Sequence, residues 1–170
     1  MWLKGLLIGR GYTVWLPELP NSNKPNTKTY NKFLLANPRF AFDENTVLIG
    51  HSSGAVEILS LLQHLPVGTT IKAAILVSAF KDNLKIPALN GLFAEPFDFE
   101  LIKQHCPNIT FVHSDNDSLS PLKGAQYLAD KTGGNLITIE GQGHFHADQE
   151  NQYKQFPEII EVIDGILQFH

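Results

Sequence analysis

One stretch constrains this chain more than any other. Thr46 to Gly50 is a short β-branched and apolar run, and Ser53 to Leu65 carries Val56, Leu59, Leu61, Leu62 and Leu65 on an apolar helix face closed by Pro66 and Gly68. Strand, sharp turn and helix therefore follow one another, with Gly50-His51-Ser52-Ser53-Gly54 at the joint. A glycine two residues to either side of a serine suits a crowded turn that leaves little space for a Cβ and holds the hydroxyl exposed. The helix that starts there aims free N–H groups and its positive dipole end at any negative charge forming beside Ser52, which makes the Ser53 N–H a natural oxyanion donor. The plainer reading is a glycine-rich turn with a helix-capping serine; the placement between a strand and an amphipathic helix favours the nucleophile.

The rest of the chain repeats the alternation. Trp2 to Arg10 has helical spacing with Gly11 at its end, and Tyr12 to Leu16 follows as a strand-like run before Pro17. Pro17 to Lys28 is turn chemistry, and Thr29 to Asn37 reads as a helix ended by Pro38. Ile71 to Val77 and Ile109 to His113 are continuous apolar runs of the kind buried on both faces of a parallel sheet. Phe80 to Cys106 has no clear period in its first half, and Asp98 is placed to cap a helix through Leu101 and Ile102. Ser120-Pro121 opens a helix that ends at Gly133-Gly134, Asn135 to Ile139 is the last strand, and Pro157 opens a closing helix with Ile159, Ile160, Ile163, Ile166 and Leu167 on one face. The expected fold is α/β: a mostly parallel sheet of about five strands flanked by helices, in a single domain over residues 1–170, with 80–106 as a small lid or acyl pocket.

A serine hydroxyl needs a base to take its proton and an acid to orient that base. Downstream of Ser52, the strand-like run 109–113 leads into Ser114-Asp115-Asn116-Asp117, and the last strand leads into Gly141-Gln142-Gly143-His144. Both candidates thus sit after strand C-terminal ends, where open α/β sheets build their sites. Gly141 and Gly143 allow the tight bend that brings His144 over the sheet edge as the base, with His146 two residues further on as the alternative. Asp115 and Asp117 compete as the acid, and periodicity does not separate them. His51 adjoins Ser52 and is placed to line the pocket, while His64, His105, His113 and His170 read as surface or packing residues. His144, His146 and Asp148 also form an H-x-H-x-D run of zinc-ligand types, with no second ligand cluster elsewhere. The serine chemistry so read calls for neither metal nor cofactor.

Composition closes off other classes. At 170 residues and 43% hydrophobic content the chain suits one soluble core, and no run approaches the roughly 20 apolar residues of a membrane span. A net charge of −4 without a Lys/Arg cluster argues against nucleic acid or an anionic membrane as partner. Met1 to Leu7 lacks the features of a signal peptide, and the single cysteine, Cys106, forms no internal disulfide, so a reducing cytoplasmic setting is expected. A flavodoxin-like nucleotide binder is disfavoured because Pro17-Glu18-Leu19-Pro20 offers phosphate few donors.

With these residues placed, the chain resembles the small α/β-hydrolases of the YdeN and retinoblastoma-binding protein nine group. The matching phrases are Thr46 through Ala55, Val112-His113-Ser114-Asp115-Asn116-Asp117 with Pro121 four residues on, Gly143-His144-Phe145, and Val14-Trp15-Leu16-Pro17. The resemblance implies a Ser-His-Asp serine hydrolase acting on a small acyl substrate, and it favours Asp117 as the acid, since the family's acid precedes the helix-opening proline by this distance. Members of that group begin with a further strand ending in a His-Gly or Gly-rich loop. By resemblance that strand would lie between the Tyr12 to Leu16 and Thr46 to Gly50 strands and its loop would give the second oxyanion donor, so a shortened reading frame is expected here. The alternative is a hydrolase-fold binding or interaction protein in which catalysis is weak or lost, since losing one oxyanion donor costs about 10²- to 10³-fold in kcat.

Overall fold

The computed structural model describes residues 2–38, 40–146 and 155–167. In chain order the elements are α1 (Trp2–Gly9), α2 (Thr27–Leu35), β1 (Val47–His51), α3 (Ser53–Gln63), β2 (Ala73–Val77), a 3-10 turn at Pro87–Phe93, α4 (Phe99–His105), β3 (Ile109–Ser114), α5 (Leu122–Thr132), β4 (Asn135–Ile139) and α6 (Pro157–Leu167). They form two compact units, Leu19–His144 and the two ends Met1–Glu18 with Phe145–His170.

In the larger unit the four strands lie in the order β1-β2-β3-β4, and every pair is parallel. The two inner strands, Ala-Ala-Ile-Leu-Val and Ile-Thr-Phe-Val-His-Ser, are buried at every position. That is what a continuous apolar run predicts for a strand covered on both faces. The edge strands β1 and β4 are part-exposed. Helix α3 packs on β1 and β2, and α5 on β3 and β4. Leu59, Leu62, Ile75, Leu76 and Phe111 form a dry centre between them, each stabilising the fold by roughly 1.5–3 kcal/mol. A second cluster joins Val56, Phe80 and Leu92 with Leu84, Leu89, Phe93 and Phe97, so the aromatics of the 80–106 segment pack on one another and on α3.

Local chemistry sets the helix ends. Asp98 accepts from the Glu100 and Leu101 N–H groups at the start of α4, and Gly133 ends α5 in the left-handed region at φ 67. Helix α2 begins at Thr27, before the expected Thr29, because the Asn26 side chain caps it by accepting from Thr29 N–H. Pro121, in place of Ser120, stands at the head of α5; the Ser120 hydroxyl lies 3.1 Å from Asp117 Oδ2, its nearer acceptor, with the Ser78 carbonyl 3.3 Å away. Residues 12–16, read as a strand from their β-forming content, form none. Propensity describes a segment's fitness for a sheet, but a strand exists only where a neighbour completes its ladder.

The smaller unit carries α1 and α6. Leu7, Ile159 and Ile163 are its buried side chains on these helices, Arg10 is paired with Asp164, and the Phe145 and Phe156 rings stack at 4.8 Å. No helix among the described residues is long and apolar enough to cross a membrane.

Candidate active site

The turn after β1 is held by strain and by steric fit. Ser52 sits at φ 54, ψ −121, a conformation that costs a non-glycine residue about 1–3 kcal/mol. What holds it there is the Ser52 N–H, which donates to the Val77 carbonyl at 2.8 Å and carries the β1–β2 ladder one residue past the strand, together with the first turn of α3, whose Ala55 and Val56 N–H groups close on the Ser52 carbonyl. A Cβ at Gly50 would lie 2.6 Å from the Gly54 carbonyl oxygen and 2.7 Å from Ile58 Cδ1, so only glycine fits. Gly54 differs from the expectation of a second crowded site: a Cβ there meets no atom within 4 Å outside its own turn of helix. Ser53 is the first residue of α3, so its N–H has no acceptor within the helix.

Helix entry thus fixes Ser52 at the end of β1, while His144 follows β4, three strand spacings or roughly 14 Å to the side. The loop after β4 must therefore run sideways across the strand ends, and the residues following β3 guide it. Asp115 accepts from Gly141 N–H at 2.8 Å, the Ser114 hydroxyl from Gln142 N–H at 2.8 Å, and Asn116 from Gly143 N–H at 2.6 Å. Ser114 Oγ–H in turn donates to the Asn116 side-chain Oδ1 at 2.8 Å. Three successive backbone donors are thereby taken by three successive side chains. Gly141 and Gly143 both adopt positive φ, at 73 and 57, which is the conformational freedom this path uses.

The loop delivers His144 between two partners. Its Nδ1 lies 2.7 Å from Asp117 Oδ2 and its Nε2 lies 2.9 Å from Ser52 Oγ. Burial pushes the Asp117 carboxyl up, but the His144 hydrogen bond and the Ser120 backbone N–H outweigh it and hold it at about 2. Asp117 is therefore ionised at neutral pH and can only accept, so His144 carries its proton on Nδ1 and its Nε2 accepts from the Ser52 hydroxyl. Leu119 and Ser120 N–H groups bind Asp117 Oδ1 at 3.0 and 2.9 Å, and Ser120 Oγ–H binds Oδ2 at 3.1 Å. His51 Nε2–H donates to the His144 carbonyl at 2.8 Å, with the two rings 5.0 Å apart.

The structure thus brings Ser52, His144 and Asp117 into one hydrogen-bonded chain and ties Asp115 to Gly141 of the loop after β4. It sets Ser53 N–H beside Ser52 and turns His51 onto the backbone of His144. Ser114 and Asn116, to which the sequence assigns no role, and Ser120, read there only as the opening of a helix, are the side chains that aim the two loops. Asp148 of the H-x-H-x-D run lies outside the described residues, and among the described residues no three His, Cys, Asp or Glu side chains gather into a metal-binding group.

Comparison with known proteins adds four findings. A family model described as Serine hydrolase matches residues 18–165. The rat serine hydrolase RBBP9 is 35% identical over 127 residues, spanning 74% of this chain and 63% of that protein. The matched part therefore spans less than two thirds of the rat protein. The crystal structure of the ydeN gene product of Bacillus subtilis, 26% identical, aligns over 98% of this chain and 89% of its own with a TM-score of 0.86. An α/β hydrolase from the metagenome of lagoon sediments at Mar Chica, Morocco, 18% identical, shares the fold over 98% of this chain and 84% of its own at a TM-score of 0.64.

Proposed function

The chain belongs to the Serine hydrolase family and has the α/β-hydrolase fold, and from that premise we propose that it hydrolyses an ester- or amide-type acyl bond in a small substrate. Ser52 is the nucleophile, His144 the general base and acid, and Asp117 the group that orients His144. The observation that carries this reading is the proton path from Ser52 Oγ–H to His144 Nε2, with His144 Nδ1–H on Asp117. Ser52 Oγ attacks the carbonyl carbon as His144 Nε2 takes its proton. The negative charge that forms on the carbonyl oxygen is met by Ser53 N–H at the positive end of α3. His144 then returns the proton to the leaving group, and water repeats the two steps to release the acid and restore Ser52. The ionised Asp117 stabilises the imidazolium that exists between the transfers.

A fluorophosphonate probe tests the reading, because it phosphonylates only a serine whose proton can be removed. Covalent labelling of the wild-type chain is expected, with complete loss in Ser52→Ala. A folded wild-type chain that takes no label, or label that survives the substitution, would overturn it.

A further inference from the structure

The His113 ring lies at the C-terminal end of β3, wholly buried in a run that otherwise presents Ile109, Phe111 and Val112 to the core. A leucine would fill that place without the cost of desolvating an imidazole. The ring does have one strong partner. Its Nε2 lies 2.7 Å from the Ser120 carbonyl oxygen, which can only accept, so Nε2 carries the hydrogen. The same nitrogen is 3.6 Å from Asp117 Oδ2, and Nδ1 has no partner among the described residues.

Ser120 is the residue that supplies two of the donors on Asp117, one from its backbone and one from its hydroxyl. We propose that His113 is a positioning residue of this site: by fixing the Ser120 carbonyl it holds the Ser120 residue in place, and through the backbone N–H and hydroxyl that Ser120 donates to Asp117 it sets the direction in which Asp117 faces His144. The proposal rests on the Ser52, His144 and Asp117 reading for its effect on rate, and on geometry alone for its effect on the His144 to Asp117 bond.

The charge state of the ring fits this task. Burial lowers the His113 pKa more than the Ser120 carbonyl and the Asp117 charge raise it, and His144 on the far side of Asp117 lowers it further. His113 is therefore neutral at neutral pH. A neutral donor anchors the loop and leaves the full Asp117 charge for the imidazolium of His144. A cation at His113 would compete for that charge.

The test compares His113→Gln with His113→Asn, two neutral polar residues. Gln places an N–H near the position of Nε2 and Asn places one near Nδ1, out of reach of Ser120. Two readouts are followed: the far-downfield proton resonance of His144 Nδ1–H, identified by its loss in Asp117→Asn, and kcat against KM for p-nitrophenyl acetate. His113→Gln is expected to keep the resonance and most of kcat. His113→Asn is expected to shift or broaden the resonance and lower kcat about 10- to 100-fold with KM little changed, the size of effect a misplacement near 1 Å produces. Equal behaviour of the two variants, or a wild-type resonance in His113→Asn, overturns the proposal. If no chain hydrolyses the ester but the resonance still depends on residue 113 as stated, the hydrolase reading fails and the positioning role stands. Should His113→Asn not fold, the hydrogen-bond coupling between His113 Nε2 and the Ser120 carbonyl carbon in the wild type decides, and its absence overturns the proposal.

Discussion

Two carboxyl groups are buried in the larger unit of this molecule, and they are in opposite states. Asp117, in the loop after β3, is 6% exposed and Glu57, in the middle of α3, is 2% exposed. Asp117 accepts four hydrogen bonds and is held at about 2 although burial alone pushes it up. Among the described residues Glu57 has no hydrogen-bond partner on either oxygen, and burial pushes it up to about 9. Burial and the Glu57 charge also push up the hydroxyl of Tyr30 on the neighbouring α2. Depth therefore does not decide whether a buried acid is charged; the supply of donors does. A loop at a strand end has backbone N–H groups to spare, and Asp117 takes two of them. Inside a helix every N–H is already spent on the carbonyl four residues back, so a carboxyl at a helix interface finds none.

The largest expected consequence is functional. In Asp117→Asn the side chain keeps its size but loses its charge, and its amide group competes with His144 Nδ1–H for the same position. The neutral side chain neither stabilises the imidazolium nor enforces the tautomer that leaves Nε2 open to Ser52. Fluorophosphonate labelling is expected to slow roughly 10³- to 10⁴-fold. Glu57→Gln, at the acid that is already uncharged, is expected to label at the wild-type rate. Equal rates for the two variants would remove the distinction between the two acids.

The second consequence is thermodynamic and falls on Glu57. An acid whose folded pKa is raised binds its proton more tightly in the folded state, so its contribution is fully present below the ordinary value of 4.5 and is lost as pH rises towards about 9. Through that window Glu57 lowers stability by at most roughly 1.4 kcal/mol for each pH unit. Glu57→Gln has no such group, so relative to the wild type its stability by urea unfolding should be constant below pH 4.5 and rise increasingly from there up to about pH 9. A difference between the two chains that does not change with pH would mean that Glu57 is not a buried neutral acid.

Sequence reached these two regions unequally. The strand ends were legible because each signal is local: continuous apolar runs for β2 and β3, Asp98 and Gly133 at helix ends, and a glycine two residues before Ser52 with no space for a Cβ. The fact that Asp117 and His144 follow neighbouring parallel strands put them at one edge of the sheet. The devices that join them were not legible. Ser114-Asp115-Asn116 reads as a polar turn, and its partners at 141–143 are more than two dozen residues away. His113 left a faint signal, an imidazole following directly on the core residues Phe111 and Val112. Glu57 left one too, since it stands on the apolar side of α3 next to Val56 and Ile58. Propensity misled at residues 12–16, where strand-forming residues lie without a strand.

The smallest expected effect is the one that tests whether donors are counted one by one. Ser120→Ala removes the hydroxyl that binds Asp117 Oδ2 and leaves the backbone N–H on Oδ1. Losing a hydrogen bond to a charged group costs about 1.5–3 kcal/mol, so the Asp117 pKa should move up from about 2 towards its ordinary value of 3.8. The sign follows from the charged form being the one that is stabilised: a depressed acid contributes stability above its unfolded pKa and loses it as pH falls through its folded pKa. Ser120→Ala should therefore be less stable than the wild type at neutral pH, and the gap should narrow as both chains are acidified below the ordinary carboxylate range. The same hydroxyl also lies 3.3 Å from the Ser78 carbonyl, a neutral acceptor. If that contact were what the hydroxyl serves, the gap would be the same at every pH. A pH-independent gap in urea unfolding would thus detach Ser120 from the electrostatics of Asp117, while a narrowing one places Asp117 and Glu57 on a single scale set by the number of donors each receives.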